Sequence, residues 1–228
     1  MLVKTKGIVL RFVKYKETSV IATVYTLEKG LISVIANSVR SKNSKGKIAL
    51  YQPLSLVELV IYYNAAKNIS RVSEINSYHP LHNLRQDPIK ASISIFITEV
   101  LNKCLKEEEE NPPFYDFIQN SIIHLNEQEK EVENFHLVFL IKLSLFLGFK
   151  PHSTSDFIHQ ITNASFYAKQ EGRSQLTNLL AANYESKLHL SGNVRNNLLA
   201  SLLEYYQSHI EIGKFNSVEI LHEFLRGV

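Results

Sequence analysis

The chain has 228 residues, 45% hydrophobic and 21% charged, with one cysteine, one methionine and no tryptophan. That composition describes a folded chain of one large domain or two small ones, and the lone Cys104 excludes an internal disulfide and any zinc site built on two or more cysteines. A net charge of +3 conceals an asymmetry, since residues 1–80 carry 12 Lys+Arg against four acids while the remainder carries 13 against 18.

Lysines interrupt the apolar residues of MLVKTKGIVLRFVKYKE, so no signal peptide is expected there. No window approaches the roughly 18 consecutive apolar residues of a membrane helix, and a cytoplasmic, nucleoid-associated location is expected. Short β-branched and aromatic runs separated by turn signals then predict an all-β module. Gly7–Val13 and Ser19–Thr26 read as strands joined by the charged turn Lys14–Glu17. Glu28-Lys29-Gly30 is a tight turn before the strand Leu31–Ala36. Asn37–Lys47 is a polar, basic loop, and Leu54–Tyr63 and Ile69–Ser77 are the last two strands. Five short strands in about 80 residues fit a small closed barrel of the oligonucleotide-binding (OB) or SH3-like type.

Tyr78–Gln86 reads as a linker broken by Pro80, after which the apolar period becomes helical. Asp87-Pro88 is a helix start, followed by an apolar stripe from Ile89 to Cys104. A second helix follows Asn111-Pro112-Pro113, and a third, about Val132–Leu147, is apolar almost all round and belongs inside a bundle. Gly148 and Pro151 end it. Residues 152–190 read as largely irregular, with a weak helix over Arg173–Tyr184; Asn193–His209 is a strong helix and Ser217–Arg226 a short one capped by Asn216. The expected organisation is a barrel over residues 1–80 and an all-α domain over 81–228.

Motifs for chemistry are absent. There is no G-x-x-x-x-G-K-[ST], G-x-G-x-x-G or G-x-S-x-G, so phosphate loops, dinucleotide folds and nucleophile elbows have no support. The Glu107–Glu110 run points around a helix end and cannot converge on one ion. The pairs His79/His82 and His152/His159 lack further ligands at helical spacing. No metal, no cofactor and no enzymatic activity are expected.

The basic module does supply what a nucleic-acid groove needs, cations for phosphates and planar rings for bases. Arg40, Lys42, Lys45 and Lys47 lie in the polar loop, Lys4, Lys6, Arg11, Lys14 and Lys16 follow the first strand and its turn, and Arg71 joins them from the fifth strand. Tyr15 is the best stacking candidate, with Tyr51, Tyr62 and Tyr63 behind it and Phe12 expected to pack inward.

Gly7-Ile8-Val9-Leu10, Glu17-Thr18-Ser19, Thr26–Gly30 and Arg40–Lys47, in that order, resemble the start of the bacterial recombination mediator family RecO. Tyr51-Gln52-Pro53-Leu54, Asn134-Phe135-His136-Leu137 and Leu147-Gly148-Phe149-Lys150-Pro151 are similar to its Bacteroidetes branch. The resemblance implies an N-terminal OB barrel followed by a helical domain. It implies a non-enzymatic role in the RecF pathway, in which such proteins bind single- and double-stranded DNA, anneal complementary strands and, with the partner RecR, help load RecA onto DNA coated by single-strand-binding protein (SSB). It implies that the helical domain receives the acidic SSB tail, with His136 and Lys142 as candidate contacts. Many members carry a four-cysteine zinc site after the Leu-Gly-x-x-Pro element; here the cysteines are absent, leaving a degenerate module within 152–190. The rival expectations are an adaptor whose basic SH3-like barrel meets an acidic peptide, and a hydrolase or transferase with convergent polar groups.

Overall fold

In the computed structural model, which describes residues 1–41, 44, 46–64, 66, 68–106 and 109–226, five strands close into a barrel in the order β1-β2-β3-β5-β4. They are β1 (Leu2–Tyr15), β2 (Ser19–Thr26), β3 (Gly30–Ala36), β4 (Leu56–Tyr62) and β5 (Ile69–His79). All pairings are antiparallel except the β3–β5 seam, which is parallel through Ser33↔Ile69 and Ile35↔Arg71. With the 3₁₀ turn Lys47–Tyr51 between β3 and β4, this is the OB arrangement, and it excludes an antiparallel SH3-like barrel.

Inward residues alternate as a pleated strand requires, with Val20, Ala22 and Val24 of β2, Val34 of β3 and Val57, Leu59 and Ile61 of β4 fully buried in one core. Gly7 lets β1 cross close to its neighbours, because a Cβ there would lie 2.6 Å from Val24 Cγ1. β1 starts five residues before the expected Gly7. Its early lysines, Lys4 and Lys6, point out between inward Val3 and Thr5, so they belong to an alternating strand and do not delay it.

The helices are α1 (His82–Gln86), α2 (Pro88–Cys104), α3 (Pro112–Glu127), α4 (Phe135–Phe146), α5 (Thr154–His159), α6 (Gln170–Ala181), α7 (Gly192–His209) and α8 (Ser217–Phe224). Asp87 caps α2 as its sequence position predicts, Oδ1 accepting from the backbone N–H of Ile89 (2.8 Å) and Lys90 (3.1 Å). Asn216 does not cap α8: its backbone is already helical and its side chain makes no capping bond. The expected linker contains α1, and the stretch 152–190 contains α5, capped by Ser153, a 3₁₀ turn over Ser165–Ala168, and α6.

The contacts divide the chain into two compact units. The first joins Met1–Arg85 to Thr98–Asn126, and the second joins Gln86–Ile97 to Glu127–Val228. In the first, α3 lies on the barrel through the outward Tyr25, whose ring stacks on Tyr115 (6.2 Å) and meets Phe114 edge-on (5.7 Å). Tyr78 of β5 donates to Gln119 Oε1 (2.5 Å) in the same packing layer. In the second, α4 is buried on nearly every side, and the Tyr206 hydroxyl of α7 donates to the Leu140 carbonyl at 2.6 Å. Among the described residues no helix is long and apolar enough to cross a membrane.

Candidate nucleic-acid interface

One residue in β1 decides which cations face solvent together. The β1–β2 register shifts between Val9 and Arg11, so Leu10 is an extra, bulged residue. Before the bulge Val3, Thr5, Gly7 and Val9 point inward; after it Phe12 packs on the core, and Arg11, Val13 and Tyr15 turn outward. Without the bulge Arg11 would continue the inward series. Leu10 itself is buried, and its carbonyl accepts from Asn102 Nδ2 of α2 at 3.1 Å.

The outward face built this way runs across the second half of β1, then β2, β3 and the start of β5. Val13 pairs with Ile21, Ile21 with Ile35, and Ile35 with Arg71. Val13 is 55% exposed, Tyr15 38% and Ile69 41%, so an apolar strip lies open with Arg11 at one side and Arg71 at the other. Arg11 Nε donates to Thr23 Oγ1 (3.1 Å), its cross-strand partner on β2, which ties the guanidinium to the row beside the strip. The outward residues of β2 and β3, namely Ser19, Ile21, Thr23, Tyr25, Leu31, Ser33 and Ile35, include no carboxylate. Lys14 and Lys16 are exposed at the edge, and Lys16 Nζ lies 5.5 Å from the Tyr15 ring centroid.

The other sequence-predicted residues are placed differently. Lys4 and Lys6 sit on the half of β1 that pairs with β4, away from the β2 partners of Arg11. Lys4 Nζ meets Glu58 Oε2 at 3.3 Å, and Lys6 stands opposite Glu58 with its ammonium 5.0 Å from the Tyr78 ring. The run of lysines along β1 therefore divides into two groups. Arg40 is half-buried and committed to the β1–β2 turn: Nη2 donates to the carbonyls of Lys16 and Glu17, both at 2.7 Å, and Nε to that of Ser19 at 3.3 Å. It holds Lys16 in a left-handed conformation, φ 50°. Lys47 is exposed at the start of the 3₁₀ turn, while Lys42 and Lys45 lie outside the described residues. Of the aromatic candidates, Tyr62 is 56% exposed and pairs with Arg71, Tyr51 is fully buried, and Phe12 and Tyr63 pack on the core. Sequence reasoning missed Val13, Ile21 and Ile35, although the unbroken Ile8-Val9-Leu10 run, too long for alternation, is a signal of the bulge.

In the helical unit His136 is fully buried, its ring edge-on to Phe96 at 6.0 Å. Burial first, then the charges of Arg195 and His222, pull its pKa from 6.5 to about 3. A side chain with no exposed surface offers a partner nothing, so His136 is a core residue and not a docking contact. Lys142 is half-buried with its ammonium 5.3 Å from the Tyr184 ring, which stacks on Phe135 at 4.4 Å. A cavity of about 880 Å³ opens elsewhere in this unit, lined by Leu145, Phe149 and Leu180 with Lys150, His152 and His209. Phe149 stacks on His209 at 4.8 Å. Asp156 of the same cavity accepts from the His152 backbone N–H, which holds its carboxyl below the usual range. Burial pushes the Cys104 thiol up to about 12, the state of an inert packing residue. Among the described residues no three His, Cys, Asp or Glu side chains gather as a metal site.

Comparison with known proteins gives two matches to family models, Recombination protein O N terminal over residues 1–81 and Recombination protein O C terminal over residues 85–219. The chain is 37% identical to a protein of Phocaeicola vulgatus named DNA repair protein RecO, covering 98% of this chain and 99% of that one. Proteins of the same name from Bacteroides fragilis and Flavobacterium psychrophilum are 35% and 32% identical, again over 98% of this chain and 99% of theirs.

Proposed function

The chain belongs to the RecO family of DNA repair and recombination proteins, and from that premise we propose that it binds single- and double-stranded DNA through the outer face of its barrel and anneals complementary strands. In this reading it acts with RecR to help load RecA onto SSB-coated DNA, without covalent chemistry and in the cytoplasm. One observation carries the proposal: an acid-free sheet face on which Arg11 and Arg71 flank an exposed apolar strip. Arginines at the margins neutralise phosphates, while the strip and Tyr15 give unstacked bases a dry surface. Annealing follows because screening two backbones at once lets complementary bases approach.

An acidic SSB tail ending in an aromatic residue needs apolar walls and cations. The cavity beside Phe149, with Lys150, His152 and His209, supports that contact better than His136.

The test is a salt titration of oligonucleotide anisotropy on the full-length protein. Replacing Arg11 and Arg71 by Ala is expected to weaken binding and flatten the log–log slope by about 1.4, at roughly 0.7 per single-strand phosphate contact. Arg40→Ala is expected to lower the melting temperature, through loss of the three carbonyl bonds, with a smaller change of slope. An unchanged slope in the Arg11/Arg71 variant overturns the assignment of this face. Tighter binding of a labelled acidic peptide than of the oligonucleotide favours the adaptor instead.

A further inference from the structure

A second irregularity lies in β5. Its register against β4 shifts between Val60↔Glu74 and Ile61↔Val72, leaving Ser73 as an extra residue. As at Leu10, the bulge reverses the alternation, and both Val72 and Ile75 pack on the core with Ser73 and Glu74 between them. The bulged segment forms one side of a cavity of about 330 Å³ in the barrel unit. Its other side comes from Ala36, Asn37 and Val39 after β3 and from Lys47 and Tyr51 of the 3₁₀ turn.

The lining has a definite chemistry. Val39, Val72 and Ile75 make apolar walls, and Tyr51 adds an aromatic residue. The Tyr51 hydroxyl is buried and has no hydrogen-bond partner among the described residues. Asn37 and Asn76 carry amides that both donate and accept. Asn37 is fixed through its Oδ1, which accepts from Ser19 Oγ at 3.1 Å. At the exposed rim Lys47 supplies a cation and Glu74 a carboxylate. The volume is at the lower end of the roughly 300–1,000 Å³ range of small-molecule sites. A flat heteroaromatic ring with donors and acceptors on its edge, tethered to a phosphate, matches the two amides, the carboxylate and the cation together.

We propose that this cavity receives one unstacked nucleobase of a bound single strand, its ring against the half-buried Val72 and Ile75, its edge read by the amides and Glu74, and its phosphate near Lys47. This deepens the DNA-binding reading and rests on it. A carboxylate accepts from an exocyclic amino group and repels a carbonyl. Cytosine therefore fits better than thymine, and an otherwise backbone-directed protein acquires a base preference at one position.

The experiment measures binding of the full-length protein to deoxycytidine and deoxythymidine homopolymers of equal length, at fixed salt. Wild type is expected to favour the cytosine strand roughly fivefold or more. Glu74→Gln should remove the preference, and Ser73→Phe, which fills the cavity, should do the same without changing charge, each variant's melting curve reporting its fold. Equal affinity for both strands, or a preference that survives in Glu74→Gln, overturns the pocket and leaves DNA binding intact. No binding of either strand by wild type overturns the underlying reading instead.

Discussion

Two histidines and one arginine illustrate how burial assigns roles at the scale of single residues. His136 and His209 are the same residue type, but one is sealed in the core and the other lies exposed on a cavity wall. For His136 the consequence is thermodynamic. Its folded pKa of about 3 lies below the unfolded 6.5, so between those values the unfolded chain binds the extra proton and stability falls as pH falls. The slope from this group is about 1.4 kcal/mol per pH unit across that window. His136→Leu is expected to give a stability profile flatter by that amount between pH 6.5 and 3, measured by urea unfolding. Parallel profiles for variant and wild type would contradict the assignment. Arg40 makes the complementary point: a loop cation counted as a phosphate contact is engaged with three backbone carbonyls and shapes the turn that presents Lys16.

At the scale of elements, tertiary neighbours override intrinsic preference. Gly172 lies inside α6, where Ala would ordinarily stabilise a helix by about 1 kcal/mol. A Cβ at this position, however, runs into the backbone carbonyl oxygen of Phe166 in the preceding 3₁₀ turn. Gly172→Ala is thus expected to destabilise the protein by about 1–3 kcal/mol, the usual cost of overpacking. Gly192→Ala at the start of α7, with open space around it, should be neutral or slightly stabilising. Thermal melts of the two variants check the contrast, and equal shifts would show that the α6 approach is not rigid. The bulges at Leu10 and Ser73 act at the same scale, each reversing a strand's alternation and so choosing which side chains reach solvent.

Over the whole molecule, the surplus of eight positive charges in residues 1–80 sets the response to salt. With Arg11, Lys14, Lys16, Lys47 and Arg71 as phosphate contacts, the log–log slope for single strands is expected near −3.5. Raising salt from about 50 to about 200 mM should then weaken binding about 100-fold and suppress strand annealing with it. Annealing followed by fluorescence of paired labelled strands checks this. A rate insensitive to salt would detach annealing from the barrel's charge. The strip of exposed Val13 and half-buried Ile21 and Ile35 persists at high salt, so residual binding there reports the apolar contribution.

Most strand and long-helix positions were legible because they depend on neighbours along the chain, while the short α1 and α5, with little periodicity of their own, were not. β2 runs Ser19–Thr26 as its alternation predicts, and Asp87 caps α2 because capping needs only the next three residues. The barrel, the helical bundle and the family were legible on the same local grounds, through periodicity and ordered short motifs. Which cations share a face was not. Lys4 and Arg11 are seven residues apart on one strand, but they pair with β4 and β2 respectively, and only the Leu10 bulge turns Arg11 outward. Strand partners and bulges are set by contacts between residues distant in sequence, so composition gave the barrel its charge and tertiary pairing decided where that charge can act.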